Sequence, residues 1–261
     1  MNYTKEYEIL RINKDCKSKE KDIVVVESPF TIFIDEKEII TLLCTPKSLE
    51  ELLIGFIISE GFIESIDDIE KIRIDEKSSI GYVSLKRKNS FIEKFQGKRT
   101  ITSGCGKGTV FYNVLDSFKS KKIANPLELD IELIKENMRD FNKRSKLFLE
   151  TGGVHSCGLY DRSRMLIFEE DIGRHNALDK IVGKALKENI DLKDKMIFTS
   201  GRISSEILIK TAKREISTII SRSAPTSLAI DIAKELGINL IGFVRGEKLN
   251  IYTNIKNLIK E

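Results

Sequence analysis

The chain has little of what usually advertises chemistry. In 261 residues it contains no tryptophan, two histidines, four prolines and four cysteines. Cys16, Cys44, Cys105 and Cys157 stand at long spacings with no C-x-x-C pair. Neither a disulfide framework nor a structural zinc site is therefore expected, and the thiols read as reduced. No uncharged run approaches the roughly 18 residues of a membrane span, and Met1-Asn2-Tyr3-Thr4-Lys5-Glu6 lacks the apolar core of a signal peptide. A cytoplasmic location with no membrane partner is expected. Neither sign of charge dominates: 44 basic against 40 acidic residues leave a formal charge of +4, which is no nucleic-acid coat. No nucleic-acid partner is expected, whereas a small anionic ligand is compatible with this balance. The chain also shows no internal repeat and no low-complexity tract.

What is present is ordinary globular material, 41% hydrophobic and 32% charged. The length suits one large domain or two unequal ones. Ile23 to about Thr45 clusters β-branched residues in two or three strands broken at Pro29 and Asp35-Glu36-Lys37. Ser48-Leu49-Glu50-Glu51 reads as a capping box, and Leu49, Leu52, Leu53, Phe56 and Ile57 follow at helical spacing up to Gly61. Ile69 to Leu85 alternates again around a turn at Ser78-Ser79. Asn125-Pro126 breaks the chain, and Asp130 to Phe148 has the apolar spacing of a connecting helix. Thereafter strands (Gly153–Tyr160, Met165–Phe168, Met196–Thr199, Thr218–Ser221, Leu240–Val244) alternate with helices (Asn176–Glu188, Ser204–Lys213, Thr226–Leu236). That alternation predicts an α/β layer with parallel crossovers, α+β over the whole chain. The expected division is 1–125, a smaller mixed unit ending in the loop around Cys105, and 126–261, the α/β unit.

Two kinds of segment could carry chemistry. In Thr102-Ser103-Gly104-Cys105-Gly106-Lys107-Gly108-Thr109, three glycines leave backbone N–H groups open and Lys107 adds positive charge, both of which favour a thiolate at Cys105. An accessible thiolate can take up a sulfur atom as a persulfide and pass it on. The segment is not a Walker loop, because Gly108 rather than Lys107 precedes Thr109. The second kind is a set of polar clusters at strand ends: Thr151-Gly152-Gly153-Val154-His155, Glu170-Asp171-Ile172-Gly173-Arg174-His175-Asn176, Thr199-Ser200-Gly201-Arg202, Ser221-Arg222-Ser223-Ala224-Pro225-Thr226, and Phe243-Val244-Arg245-Gly246-Glu247-Lys248. Small hydroxyl or glycine residues beside an arginine at a helix start are the makings of a phosphate site. In open α/β sheets such ends form the ligand crevice.

Taken together, the runs Thr151-Gly152-Gly153-Val154-His155, Asp171-Ile172-Gly173-Arg174-His175-Asn176-Ala177-Leu178-Asp179-Lys180, Thr199-Ser200-Gly201-Arg202, Ser223-Ala224-Pro225-Thr226-Ser227-Leu228-Ala229 and Gly242-Phe243-Val244-Arg245-Gly246, with Ser103-Gly104-Cys105-Gly106, closely resemble the formate dehydrogenase accessory sulfurtransferase (FdhD) family. The resemblance spans nearly the whole chain after Val26. It implies a carboxyl-terminal domain similar to the cytidine deaminase fold. It also implies a cytoplasmic homodimer that acts as a sulfurtransferase, taking sulfur from a cysteine desulfurase as a persulfide on Cys105. The sulfur would go to the molybdenum bis(molybdopterin guanine dinucleotide) cofactor of formate dehydrogenase, which a guanine nucleotide would mimic. The family's cofactor-contacting stretch falls on Phe243, Val244, Arg245, Gly246, Glu247 and Lys248, with Arg174, His175, Ser200 and Arg202 as further candidates. One position departs from the family: a second cysteine often stands three residues after the first, where this chain has Gly108. A single-cysteine relay is then expected, with a non-catalytic cofactor-binding chaperone as the alternative. A zinc deaminase, the other activity this fold suggests, is excluded by the lack of a H-x-E pair and of P-C-x-x-C.

Overall fold

The structure is a computed structural model that describes residues 2–14, 16–87, 101–102, 122–124 and 126–257. Cys105, Gly108 and the rest of that glycine-rich segment lie outside the described residues. A long hairpin, β1 (Thr4–Asn13) and β2 (Cys16–Val25), opens the chain. It is followed by β3 (Ser28–Ile34), β4 (Lys37–Cys44), β5 (Ile69–Asp75), β6 (Ile80–Leu85) and β7 (Ile101–Thr102), which form a mixed sheet ordered β5-β6-β3-β4-β7. The hairpin is not legible in the sequence. Its residues are mostly polar or charged, and Leu10 and Ile12 remain 57% and 63% exposed, so no buried face imposes a readable alternation.

The helix α1 (Leu49–Ser59) begins where the sequence predicts, but not by the expected cap. Ser48 sits in the left-handed region (φ 53°) and its hydroxyl donates to Glu169 Oε2 at 3.0 Å instead of bonding its own helix. From Leu52 to Ser59 every residue of α1 is buried, because the helix lies between β5 and β6 on one side and α4 (Arg174–Lys187) on the other. The two helices touch backbone to backbone. A Cβ at Gly55 would collide with the Asp179 carbonyl, and one at Gly183 with the Glu51 carbonyl.

The predicted connecting helix divides in two, α2 (Ile131–Arg144) and α3 (Lys146–Thr151). Asp130 caps α2 through a bond from the Leu133 amide. The division falls at buried Ser145, whose hydroxyl donates to the Phe141 carbonyl and accepts from Ser156, taking over a partner the continuing helix would use. A six-stranded sheet follows, ordered β13-β12-β11-β10-β8-β9, from β8 (His155–Tyr160), β9 (Met165–Asp171), β10 (Met196–Thr199), β11 (Thr218–Ser221), β12 (Asn239–Arg245) and β13 (Lys248–Ile251). The mixed α/β class is as expected. β10, β11 and β12 are parallel and joined by α5 (Ser205–Lys213) and α6 (Ser227–Leu236), whose caps Ser204 and Thr226 accept from the third residue onward. Every residue of β10 and β11 is buried, as befits central parallel strands covered on both faces.

One apolar core runs from Phe30 and Leu42 of the first sheet through α1 and α4 to Ile197 and Ile219 of the second. A smaller core beneath α2, built from Ile134, Met138, Phe141, Phe198 and Ile241, covers the opposite face. Among the described residues no helix is long and apolar enough to cross a membrane.

Candidate functional site

The parallel strands β10, β11 and β12 all end on one edge of the second sheet. β8 runs antiparallel to β10, so it begins there, at His155. Ser200 N donates to the Ser156 carbonyl at 3.0 Å, and Arg222 N to the Thr199 carbonyl at 3.2 Å, which extends the sheet pairing into the loops. These ends border a half-open cavity of about 380 Å³ lined by residues that include Phe148, Gly153, His155, Ser200, Arg222 and Arg245. Among the described residues no carboxylate lines it. Its charge is therefore cationic while Phe148, Val154 and Ile172 supply apolar wall, a composition suited to a small anionic ligand with a planar or apolar part.

The wall is cross-braced. Arg245 Nε donates to the Arg222 carbonyl at 3.0 Å, which holds the Arg245 side chain against the end of β11. Ser221 Oγ donates to the Gly201 carbonyl and accepts from the Ser223 amide, tying the ends of β10 and β11 together. Phe243, 37% exposed, has φ 54°, a backbone region costly for a bulky side chain. Its amide donates to the Ser223 carbonyl at 3.1 Å, and the Arg245 guanidinium stands 5.8 Å from its ring.

The remaining predicted residues are distributed unevenly. Ser200 and Arg245 line the cavity. Val244 is fully buried in the smaller core. Gly246 makes the turn between β12 and β13 at φ 57°, with Arg245 paired to exposed Lys248 across it. Glu247 reaches back to α2, where it pairs with Lys135 at 3.1 Å and Arg139 at 3.3 Å. Arg202 is exposed and His175 Nε2 lies 3.1 Å from Glu206 Oε2, between α4 and α5. Arg174 does not line the cavity and packs beside Gly201, where a Cβ would meet its side chain and His155 Nδ1. His155, Arg222 and the glycines after α3 stand out in the sequence only as members of polar clusters, and the strand order is what brings them to one cavity.

Much of the long run from Asp171 to Lys180 is internal. The Asp171 carboxylate is fully buried and accepts from Lys180 Nζ (2.6 Å), Gly173 N (2.8 Å), Asn176 Nδ2 (2.9 Å) and Thr45 N (3.1 Å). Lys180 also donates to the Thr45 carbonyl, and Asn176 to that of Leu43. This clasp fastens the end of β4 to the end of β9, one residue from Ile172 of the cavity wall. A second buried set joins Lys210 to Asp179 (2.7 Å) and Glu60 (3.3 Å).

Two of the described cysteines are poor nucleophiles. Burial, reinforced by the Asp171 charge, pushes the Cys44 thiol up to about 12, and burial drives that of Cys157 well above its ordinary range. Cys16 is exposed on the hairpin. Among the described residues no group of His, Cys, Asp and Glu could hold a metal ion.

Comparison with known proteins agrees with this architecture. The chain is 45% identical over 239 residues to the sulfur carrier protein FdhD of Bacillus pumilus, covering 92% of this chain and 90% of that one. It is 42% identical over 260 residues to the sulfur carrier protein FdhD of Listeria monocytogenes, covering 99% and 100%. The crystal structure of a candidate formate dehydrogenase accessory protein from Desulfotalea psychrophila superposes with a TM-score of 0.80 at 24% identity, over 99% of this chain and all of that one, so the fold is shared. With residues 25–259 matching the FdhD/NarQ family, this chain belongs to that family.

Proposed function

We propose that this chain is a sulfur carrier in formate dehydrogenase maturation, with Cys105 as the carrying thiol and the cationic cavity as the seat of the acceptor's nucleotide portion. The observation that carries the reading is a strand register. β7 pairs in parallel with β4, Leu42 opposite Thr102, and Thr45, the residue after β4, is clasped to Asp171 and receives a bond from the Ile172 amide beside the cavity. Cys105 follows Thr102 by three residues, a chain length of at most about 10 Å.

The chemistry is a relay. The Cys105 thiolate attacks the outer sulfur of a cysteine desulfurase persulfide; a new S–S bond forms on Cys105 and the desulfurase cysteine leaves as thiolate. The acceptor is the molybdenum bis(molybdopterin guanine dinucleotide) cofactor, which receives the atom as sulfide. That conversion consumes two electrons. With Gly108 where a second cysteine often stands, the electrons come from external thiols: one persulfide and two thiols yield the Cys105 thiol, one sulfide and one disulfide.

A chaperone that binds the cofactor without carrying sulfur is the second reading, favoured by the lack of any cysteine among the cavity's described lining residues. Incubation with a desulfurase and cysteine followed by peptide mass spectrometry separates the two. One added sulfur on the Cys105 peptide, lost in Cys105→Ala together with restoration of formate dehydrogenase activity, is the expected result. Full activity from Cys105→Ala would leave the chaperone reading.

A further inference from the structure

His155 is placed to do more than line a wall. It opens β8 half-buried at the cavity, opposite Asp171 of β9, and its Nδ1 lies 3.4 Å from Ser200 Oγ. Ser200 Oγ accepts from the Ser156 amide at 2.9 Å, which leaves its own proton for Nδ1. In the tautomer where Nδ1 accepts that proton, the imidazole proton lies on Nε2, the nitrogen with no partner among the described residues. Gly201 packs against this pair: a Cβ there would sit tight against the Arg174 side chain at 3.1 Å and in ordinary contact with His155 Nδ1 at 3.5 Å. The charged groups around the ring are Arg174 and His175 of α4, Asp171 of β9, and Arg222 and Arg245 of the cavity wall.

We propose that His155 contacts the anionic group of the cavity's ligand through Nε2 and takes up a proton from solvent as that group binds. The inference rests on the reading of the cavity as an anion site. Burial first, and then the neighbouring Arg174 and His175 charges, hold the free ring below its ordinary value, so it enters the encounter neutral. An anion against Nε2 reverses that balance by adding an opposite charge in a partly desolvated place. Affinity then strengthens as pH falls between the bound and free titration points, by up to about tenfold per pH unit for one linked proton. Above that window it is flat.

The chain has two histidines, so their ring resonances can be followed individually, with His155→Gln identifying the signal. Two probes are used: sulfate, and di(guanosine-5′) pyrophosphate, neither of which titrates where imidazole does. The expected result is an upward move of the His155 midpoint with both probes, and a pH-dependent affinity that His155→Gln flattens. Sulfate moving His155 while the dinucleotide fails to bind would remove the cofactor reading and leave this proposal standing. Dinucleotide binding with an unmoved His155 would do the reverse. Absence of binding by both probes overturns the proposal.

Discussion

Lys180 Nζ lies 2.6 Å from Asp171 Oδ2, and neither side chain is exposed to solvent. The pair is satisfied on every side, by Thr45, Gly173 and Asn176, so the charges are held by a full set of hydrogen bonds. Removing one partner strands the other. Lys180→Ala is expected to cost about 3–5 kcal/mol of stability, and Lys180→Met with Asp171→Asn clearly less than the two single changes combined. Urea unfolding of Lys180→Ala, Lys180→Met, Asp171→Asn and the Lys180→Met/Asp171→Asn double variant is the measurement, and additive costs in the last three would show that the clasp is not a coupled unit.

The cysteines should divide by burial. In the folded protein Cys16 is expected to react with iodoacetamide, whereas Cys44 and Cys157, whose thiols burial holds in the protonated form, should be modified only after denaturation. Peptide mapping after a timed alkylation checks this. Rapid labelling of Cys157 in native protein would contradict its place in the core.

Arg222 and Arg245 line the cavity whereas Lys248 lies beyond the turn. Replacing either arginine with alanine should weaken binding of di(guanosine-5′) pyrophosphate by about ten- to a hundredfold, the scale of one charge-assisted hydrogen bond. Lys248→Ala should change it by threefold or less, roughly the worth of a solvent-exposed charge. Calorimetric titration of the three variants decides, and the opposite ranking would move the anion site to the β12–β13 turn.

Acid should loosen the contact between α4 and α5. The His175 ring, whose Nε2 lies 3.1 Å from Glu206 Oε2, holds that carboxyl below its ordinary value against the opposing effect of burial. A depressed carboxylate contributes stability above its unfolded value, about 4.3, and loses it as pH falls through the folded one. Wild type should therefore lose more stability than Glu206→Gln between about pH 5 and 3. Thermal melts across that range test it, and parallel curves would show that the pair contributes nothing.

Local order is legible in short windows of the chain. Met196–Thr199 and Thr218–Ser221 are short β-branched or aromatic runs between polar ends, and they are the two central parallel strands. Ser204, Thr226 and Asp130 stand where short oxygen-bearing side chains meet orphan amides, and each caps its helix. Ser48 has the same signature and does something else, because Glu169, 121 positions away, competes for its hydroxyl.

What the sequence determined by itself is therefore the class of fold, the family and most element positions, since these follow from nearest-neighbour sterics, side-chain period and long motif runs. Which polar residues meet was decided only by the tertiary structure. The run from Asp171 to Lys180 is divided between the buried clasp and the contact with Glu206. His155, Ser200, Arg222 and Arg245 come from four separate strand ends, and they share one cavity because β8 lies antiparallel beside β10 at the carboxyl edge of three parallel strands. Strand order is a property of the whole core, and no local window of the chain encodes it.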